Sequence, residues 1–281
     1  MSNPLNIYAA KTTCVRGMRV VLSTVLIATA VGCATTENPA PRRECSKRVL
    51  FVGNSYTYVN DLPSRIAALS AQMGCELKWK EATAPGARFS THVQSTDTQT
   101  LLSESWDVVI LQNQSQEPSW AEPSFTANSL PYAQQLVRQA KTSNPDVRLL
   151  YFVTWGRRDG DASNCEARPE VCSFKGHTKA LLGGYKSYAS STGGELVDVG
   201  GAFLKVQDKL GARMHSRLYA DDGSHPSELG SDLSAYVFVL SLWGEEAVRR
   251  TRLADDDKVH QKLLALVLRS QTDSPPQAES N

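Results

Sequence analysis

The chain has 281 residues, and its 30 basic and 29 acidic side chains leave a formal charge of +1. So even a balance concentrates no positive field, which sets nucleic acid aside as a partner. A hydrophobic content of 41% is enough for one substantial core.

The first residues differ in kind from the rest. Lys11, Arg16 and Arg19 precede an apolar run, Val20 to Val31, that ends in Ala30-Val31-Gly32-Cys33. That is the layout of a secretory signal, and the run is too short to span a bilayer comfortably. Its end resembles the bacterial lipobox, with Ala30 where leucine is usual. The resemblance implies a lipid on Cys33 and a membrane anchor on the cell-envelope side; ordinary secretion is the alternative. Met18, followed by Arg19, offers a second possible start. The expected organisation is a signal over 1–33, a Pro39- and Pro41-containing tether over 34–44, a folded domain over 45–270, and a polar, disordered tail over 271–281.

The first strand is expected at Val49-Leu50-Phe51-Val52, an uncharged block that reads as buried on both faces of a parallel sheet. Gly53 ends it, and Ser55 follows in the loop. Leu62, Ile66, Leu69 and Met73 then trace one face of a helix that starts near Asp61 and closes at Gly74. Leu77, Trp79 and Ala82 mark a weaker second strand that leads into the glycine-containing loop 83–88. A third strand, Asp107 to Leu111, runs into Gln112-Asn113-Gln114-Ser115.

A helix from about Pro131 to Asn144 and a fourth strand, Arg148 to Trp155, come next. The segment 156–173 reads as loop; Leu181, Tyr185 and Tyr188 mark another helix; Glu195 to Val199 is the fifth strand. A short helix follows at Ala202 to Leu210. Pro226 is expected in the first turn of a long helix carrying Leu229, Leu233, Tyr236, Leu240 and Trp243. A last amphipathic piece carries Val259, Leu263, Leu266 and Val267. Five strands alternating with helices predict an α/β fold with a mostly parallel sheet. Right-handed crossovers then bring Ser55, Gly86, Asn113 and Gln114 to one edge.

Beyond Cys33 the chain has Cys45, Cys75, Cys165 and Cys172, an even number suited to disulfides in an exported protein. Cys45 and Cys75 precede neighbouring parallel strands, and Cys165 and Cys172 bracket a short loop. The expected pairs are therefore Cys45 with Cys75 and Cys165 with Cys172. No Cys-x-x-Cys occurs, and no third ligand joins Asp222 and His225, so no metal is expected.

A serine hydroxyl becomes a useful nucleophile when a base takes its proton. Of the five histidines, His225 and His260 each have an aspartate three residues earlier, Asp222 and Asp257. The second pair opens the last amphipathic piece, away from any strand end, and reads as a solvated helix face. Asp222 can orient the His225 ring and stabilise its imidazolium. Oxyanion donors would come from the Ser55 amide, the Gly86 amide and a side-chain amide of the Gln112-Asn113-Gln114 run. Strand-end alignment favours Gln114, and residue type favours Asn113. Trp120 and Trp155, near loop ends, are candidates for stacking on a sugar ring.

VLFVGNS, APGA, VILQNQS and DDGSH, in that order, resemble the four sequence blocks of the SGNH (GDSL-like) hydrolase family, and they reach from Val49 to His225. The resemblance implies a flavodoxin-like three-layer α/β/α fold and serine ester hydrolysis without a cofactor. It makes Ser55 the nucleophile, His225 the base, Asp222 its orienting acid and Gly86 an oxyanion donor. The substrate it implies is a small ester or acylated glycan, with a short acyl group such as acetyl favoured because no long apolar lid is visible. A lipase or thioesterase, or a non-catalytic glycan-binding envelope lipoprotein, is the alternative. The chain departs from the family at Asn54, where aspartate is usual, and in the third block, which usually reads Gly-x-Asn-Asp.

Overall fold

The computed structural model describes residues 45–251 and 256–269. The signal segment, Cys33, the tether and the polar tail lie outside those residues. The sheet has five parallel strands, β1 (Cys45–Gly53), β2 (Cys75–Thr83), β3 (Val108–Leu111), β4 (Arg148–Val153) and β5 (Glu195–Asp198), in the order β2-β1-β3-β4-β5. Register runs Cys45 to Cys75 and Gly53 to Thr83 on one side of β1, and Val49 to Val108 on the other.

Alternate residues of each strand feed opposite layers, as a period of two requires. Val49, Phe51, Ile110, Leu150 and Phe152 pack with the helices Leu62–Gln72, Val199–Leu210, Glu228–Val248 and Lys258–Arg269. Leu50, Val52, Val109, Leu111 and Tyr151 pack the other way, with Phe89, Leu136, Tyr185 and Tyr188 of Phe89–Gln94, Leu130–Ser143 and Phe174–Thr192. The result is three layers, α/β/α. Both expected disulfides form: Cys45–Cys75 joins the N-terminal ends of β1 and β2, and Cys165–Cys172 closes the loop after β4.

Several boundaries depart from expectation. The strands β1 and β2 begin earlier than their apolar blocks, because paired backbone continues beyond the buried side chains. Two helices, Phe89–Gln94 and Thr96–Leu102, fill a stretch between the second and third strands for which the sequence suggested no element; Ser95 caps the second by accepting the Thr98 amide. Pro226 is not in a first helical turn. The long helix begins at Glu228 with Ser227 as its cap, and Pro226 stays outside with its carbonyl free to accept a bond from Asn60.

Candidate active site

Ser55 opens a single helical turn, Ser55–Tyr58, placed directly on the C-terminal end of β1. Asn54 caps the turn through Oδ1, which accepts the Tyr56 amide at 3.1 Å. The first amide of such a turn has no acceptor within the turn, which leaves the Ser55 N–H available to a ligand. The junction is tight. A Cβ on Gly53 would stand 2.4 Å from Thr57 Oγ1 and 2.7 Å from Gln112 Oε1, so only glycine lets the strand end approach them.

His225 reaches this serine from the loop before the helix Glu228–Val248. Its Nε2 lies 2.9 Å from Ser55 Oγ, and its Nδ1 lies 2.5 Å from Asp222 Oδ2. The other Asp222 oxygen accepts the amides of Ser224 and His225, each at 2.9 Å. Burial opposes ionisation of Asp222, but the bonds from His225 and the two amides outweigh it and hold the carboxyl below its ordinary range. Serine, imidazole and carboxylate thus stand in one hydrogen-bonded line, the arrangement that activates a serine hydroxyl and then shelters the imidazolium.

The loop carrying Asp222 and His225 is held by residues from elsewhere in the chain. Trp155 Nε1 donates to Ser224 O at 3.1 Å, Arg158 N to Gly223 O at 2.8 Å, and Tyr56 and Ser224 hydroxyls meet at 2.7 Å. Asn60, in the left-handed region at φ 56, donates to Pro226 O at 3.0 Å. The nucleophile loop and the histidine loop are therefore tied together at both flanks of the line. Trp155 is not a sugar platform. It is buried, stacked between Tyr56 at 4.9 Å and Phe203 at 4.3 Å.

Gly86 and Gln114 join Ser55 and His225 around a cavity of about 360 Å³, which Arg157, Tyr58 and Pro85 also line. Gly86 adopts φ +62, a left-handed turn that suits glycine. The Gln114 side-chain carbonyl accepts the amides of Gln116 at 2.7 Å and Glu117 at 3.2 Å, and its Nε2 donates one hydrogen to Gln116 Oε1 at 3.3 Å, which fixes the amide group and leaves its second N–H for the cavity.

Asn113, the other candidate from the third block, is fully buried and committed elsewhere. Its Nδ2 faces Glu117 at 2.9 Å, Tyr188 at 2.9 Å and Ser129 at 3.1 Å; its Oδ1 accepts the Phe89 and Gln114 amides. The backbone N–H donates to Tyr185 at 3.2 Å. Asn113 therefore has no donor left for an oxyanion, and its role is to hold the third-block loop. Burial raises the Glu117 carboxyl, opposed by the Asn113 bond and the nearby Arg88 charge.

Three further residues position these loops. Asn54 and His92 had no assigned role in the sequence, and Gln112, there one of three candidate oxyanion amides, is buried with its Nε2 against Asn113 O. Asn54, buried, donates through Nδ2 to Ala87 O at 3.0 Å and Asn113 O at 3.4 Å. Gln112 Oε1 accepts the Asn54 amide at 2.9 Å and the Thr57 hydroxyl at 3.0 Å. His92 Nε2 meets Gly53 O at 2.9 Å, with Thr98 Oγ1 3.1 Å from Nδ1. Desolvation lowers the His92 pKa, so the neutral ring donates to the carbonyl behind the nucleophile. Polar residues after a strand carried the only hint of Gln112, and a lone histidine in a polar segment gave none.

His260 faces away from this site, with its ring against Asp257 and Asp232 at 2.6 and 3.0 Å. Among the described residues no group of three His, Cys, Asp or Glu side chains converges as a metal site. A second cavity, of about 730 Å³, begins two residues from Gly86 and is lined by Arg88, Glu117, Trp120, Tyr132, Asn164 and Arg168, among others. Half-buried Trp120 lies there beneath the Arg88 guanidinium, 5.5 Å from its ring.

No family model matches the chain, and no curated protein matches it. Solved structures do. A candidate SGNH hydrolase from Slackia heliotrinireducens is similar at 27% identity and TM-score 0.56, over 70% of this chain and 99% of that one. A DUF4886 family protein from Bacteroides uniformis is similar at 14% identity and TM-score 0.65, over 81% and 95%. An acetyl xylan esterase shares the fold at 15% identity and TM-score 0.50, over 69% and 99%.

Proposed function

We propose, from the premise that the chain belongs to the SGNH (GDSL-like) hydrolase family, that it is a serine esterase transferring a short acyl group, acetyl foremost, to water. The observation that carries this reading is the line Ser55 Oγ, His225, Asp222, with spacings of 2.9 and 2.5 Å. In it, His225 Nε2 takes the Ser55 proton as Oγ attacks the ester carbonyl. The Ser55 amide, the Gly86 amide and Gln114 Nε2 receive the oxyanion, where each donor is worth about 2.7–4 kcal/mol of barrier.

His225 then gives its proton to the leaving alcohol, and an acyl group remains on Ser55. Water, deprotonated by the same histidine, attacks the acyl carbon; the histidine returns that proton to Ser55 Oγ as the bond to it breaks, and the acid leaves. Asp222, ionised throughout, stabilises the imidazolium at both stages.

A serine-directed fluorophosphonate probe tests this reading. Ser55 should be labelled, with no labelling of Ser55→Ala, and turnover of p-nitrophenyl acetate should fall about 10³–10⁴-fold in Asp222→Asn. Labelling that persists equally in Ser55→Ala would remove the proposal.

A short acyl ester fits the small cavity, and the second one, where Trp120 and Tyr132 offer aromatic surface, suits further sugar units of a glycan substrate. We place the protein on the bacterial envelope, anchored through a lipid on Cys33. The lipobox-like end of the apolar run supports that, and two disulfides suit an oxidising compartment. Incorporation of a fatty-acid label that survives in Cys33→Ala would refute the anchor.

A further inference from the structure

Arg157 brings an unpaired cation to the cavity that holds Ser55, Gly86 and His225. Its Nε is buried and has no hydrogen-bond partner among the described residues. None of their carboxylates pairs with it, whereas the neighbouring Arg158 and Arg168 pair with Asp159 and Glu170.

The position of this residue is fixed from three sides. Its amide donates to His177 Nδ1 at 3.2 Å, the Gly156 amide to Thr178 Oγ1 at 2.9 Å, and the Arg158 amide to Gly223 O at 2.8 Å. His177 is fully buried, and desolvation lowers its pKa to about 4, so its neutral ring accepts that bond at ordinary pH. A guanidinium that lines the cavity with no carboxylate partner is a natural counter-charge for a bound anion.

The side of the cavity follows from the same contacts. The last of those bonds ties the residue after Arg157 to the loop of Asp222 and His225, and Arg157 and His225 line the same cavity. In ester hydrolysis the leaving alcohol lies next to the group that protonates it.

We propose that Arg157 is a specificity-determining residue, and that the natural ester carries a carboxylate, sulfate or phosphate on the alcohol it releases. An acetylated acidic sugar has that chemistry. The inference rests on the esterase reading of Ser55 and His225, and it narrows the substrate class.

The test compares kcat/KM for O-acetylated methyl glucuronoside with that for the matching O-acetylated methyl glucoside, at low and high salt. The unmodified protein should favour the acid by about tenfold to a hundredfold, the ratio expected of a charge-assisted bond. Arg157→Gln should bring that ratio close to one, and Arg157→Lys should keep part of it. Melting curves identify a variant that does not fold, in which case the Lys variant carries the comparison.

A ratio near one in the unmodified protein would overturn the proposal, as would a ratio unchanged in the variants. So would a preference of the same size for p-nitrophenyl hemisuccinate over p-nitrophenyl butyrate, which would put the anion on the acyl side. Absence of all hydrolysis would instead refute the esterase reading. NMR titration of Ser55→Ala with methyl glucuronoside and methyl glucoside then still decides on Arg157. Tighter binding of the acid, lost on adding Arg157→Gln, supports it; equal binding sinks it.

Discussion

The side-chain amide of Asn54 donates to the backbone carbonyl of Ala87 at 3.0 Å, so the residue before the nucleophile also holds the loop that carries Gly86. A second contact, to Asn113 O at 3.4 Å, draws in the third-block loop. One neutral amide thereby sets three loops in register. An ionised aspartate, which only accepts, would face two carbonyls.

Asn54→Asp therefore turns two attractive contacts into repulsive ones. Unfolding free energy should fall by about 1–3 kcal/mol at pH 7. The folded-state pKa of the new carboxyl would be raised, so stability is regained as pH falls through that pKa and lost as it rises. Denaturant midpoints at pH 7 and pH 5 check this. An unchanged midpoint at pH 7 would show that Asn54 is not the tie described above.

Gln114 and Asn113 are adjacent in sequence and separate in task. Gln114→Ala should lower kcat about 10²–10³-fold, the effect of losing one oxyanion donor, at a stability cost of about 1 kcal/mol. Asn113→Ala should do the reverse, costing on the order of 3 kcal/mol because buried donors and acceptors on Glu117, Tyr188 and Phe89 lose their partner. Parallel kcat and urea-unfolding measurements separate the two, and a large kcat loss confined to Asn113→Ala would reverse the assignment.

Cys45 and Cys75 are paired at the far ends of β1 and β2 from Ser55, closing a loop with a sequence separation of 30. By loop-closure entropy such a bridge contributes roughly 3–4 kcal/mol. A Cys45→Ala, Cys75→Ala double variant should melt at lower temperature while keeping kcat in the still-folded protein. A matching loss of kcat well below the melting temperature would mean that the strand ends communicate with the site.

What could be read from the sequence follows from burial. Strands such as Val49–Val52 and Arg148–Val153 are apolar because both faces are covered, so their blocks stand out and their alternation with helices fixes the parallel sheet. Asp222 and His225 were legible because their contact is local, three residues apart. Asn54, Gln112 and His92 were not, since their partners Ala87, Thr57 and Gly53 are joined to them only by the fold. Trp155 shows the same limit. An aromatic side chain at a strand end can face the cavity or the core, and here the Tyr56 and Phe203 rings take it into the core. The helices Phe89–Gln94 and Thr96–Leu102 were missed because their segments are short and mostly polar, with stability drawn from packing rather than pattern.

His177 and His215 give the fold a pH dependence of definite sign. Both rings are buried, and desolvation lowers each pKa to about 4. Asp161 opposes this at His177, where Arg157 and Arg168 reinforce it; Asp159 opposes it at His215, where Arg158 reinforces it. The unfolded chain binds protons near pH ~6.5 and the folded chain only near 4, so protonation favours unfolding. Their stabilisation is complete above the unfolded value and is lost as pH falls from it towards 4. Between pH 7 and pH 5 the pair should account for about 3–4 kcal/mol of lost stability. Urea unfolding across that interval measures the loss, and His177→Gln with His215→Gln should flatten it. An equally steep decline in the double variant would move the acid sensitivity to other groups.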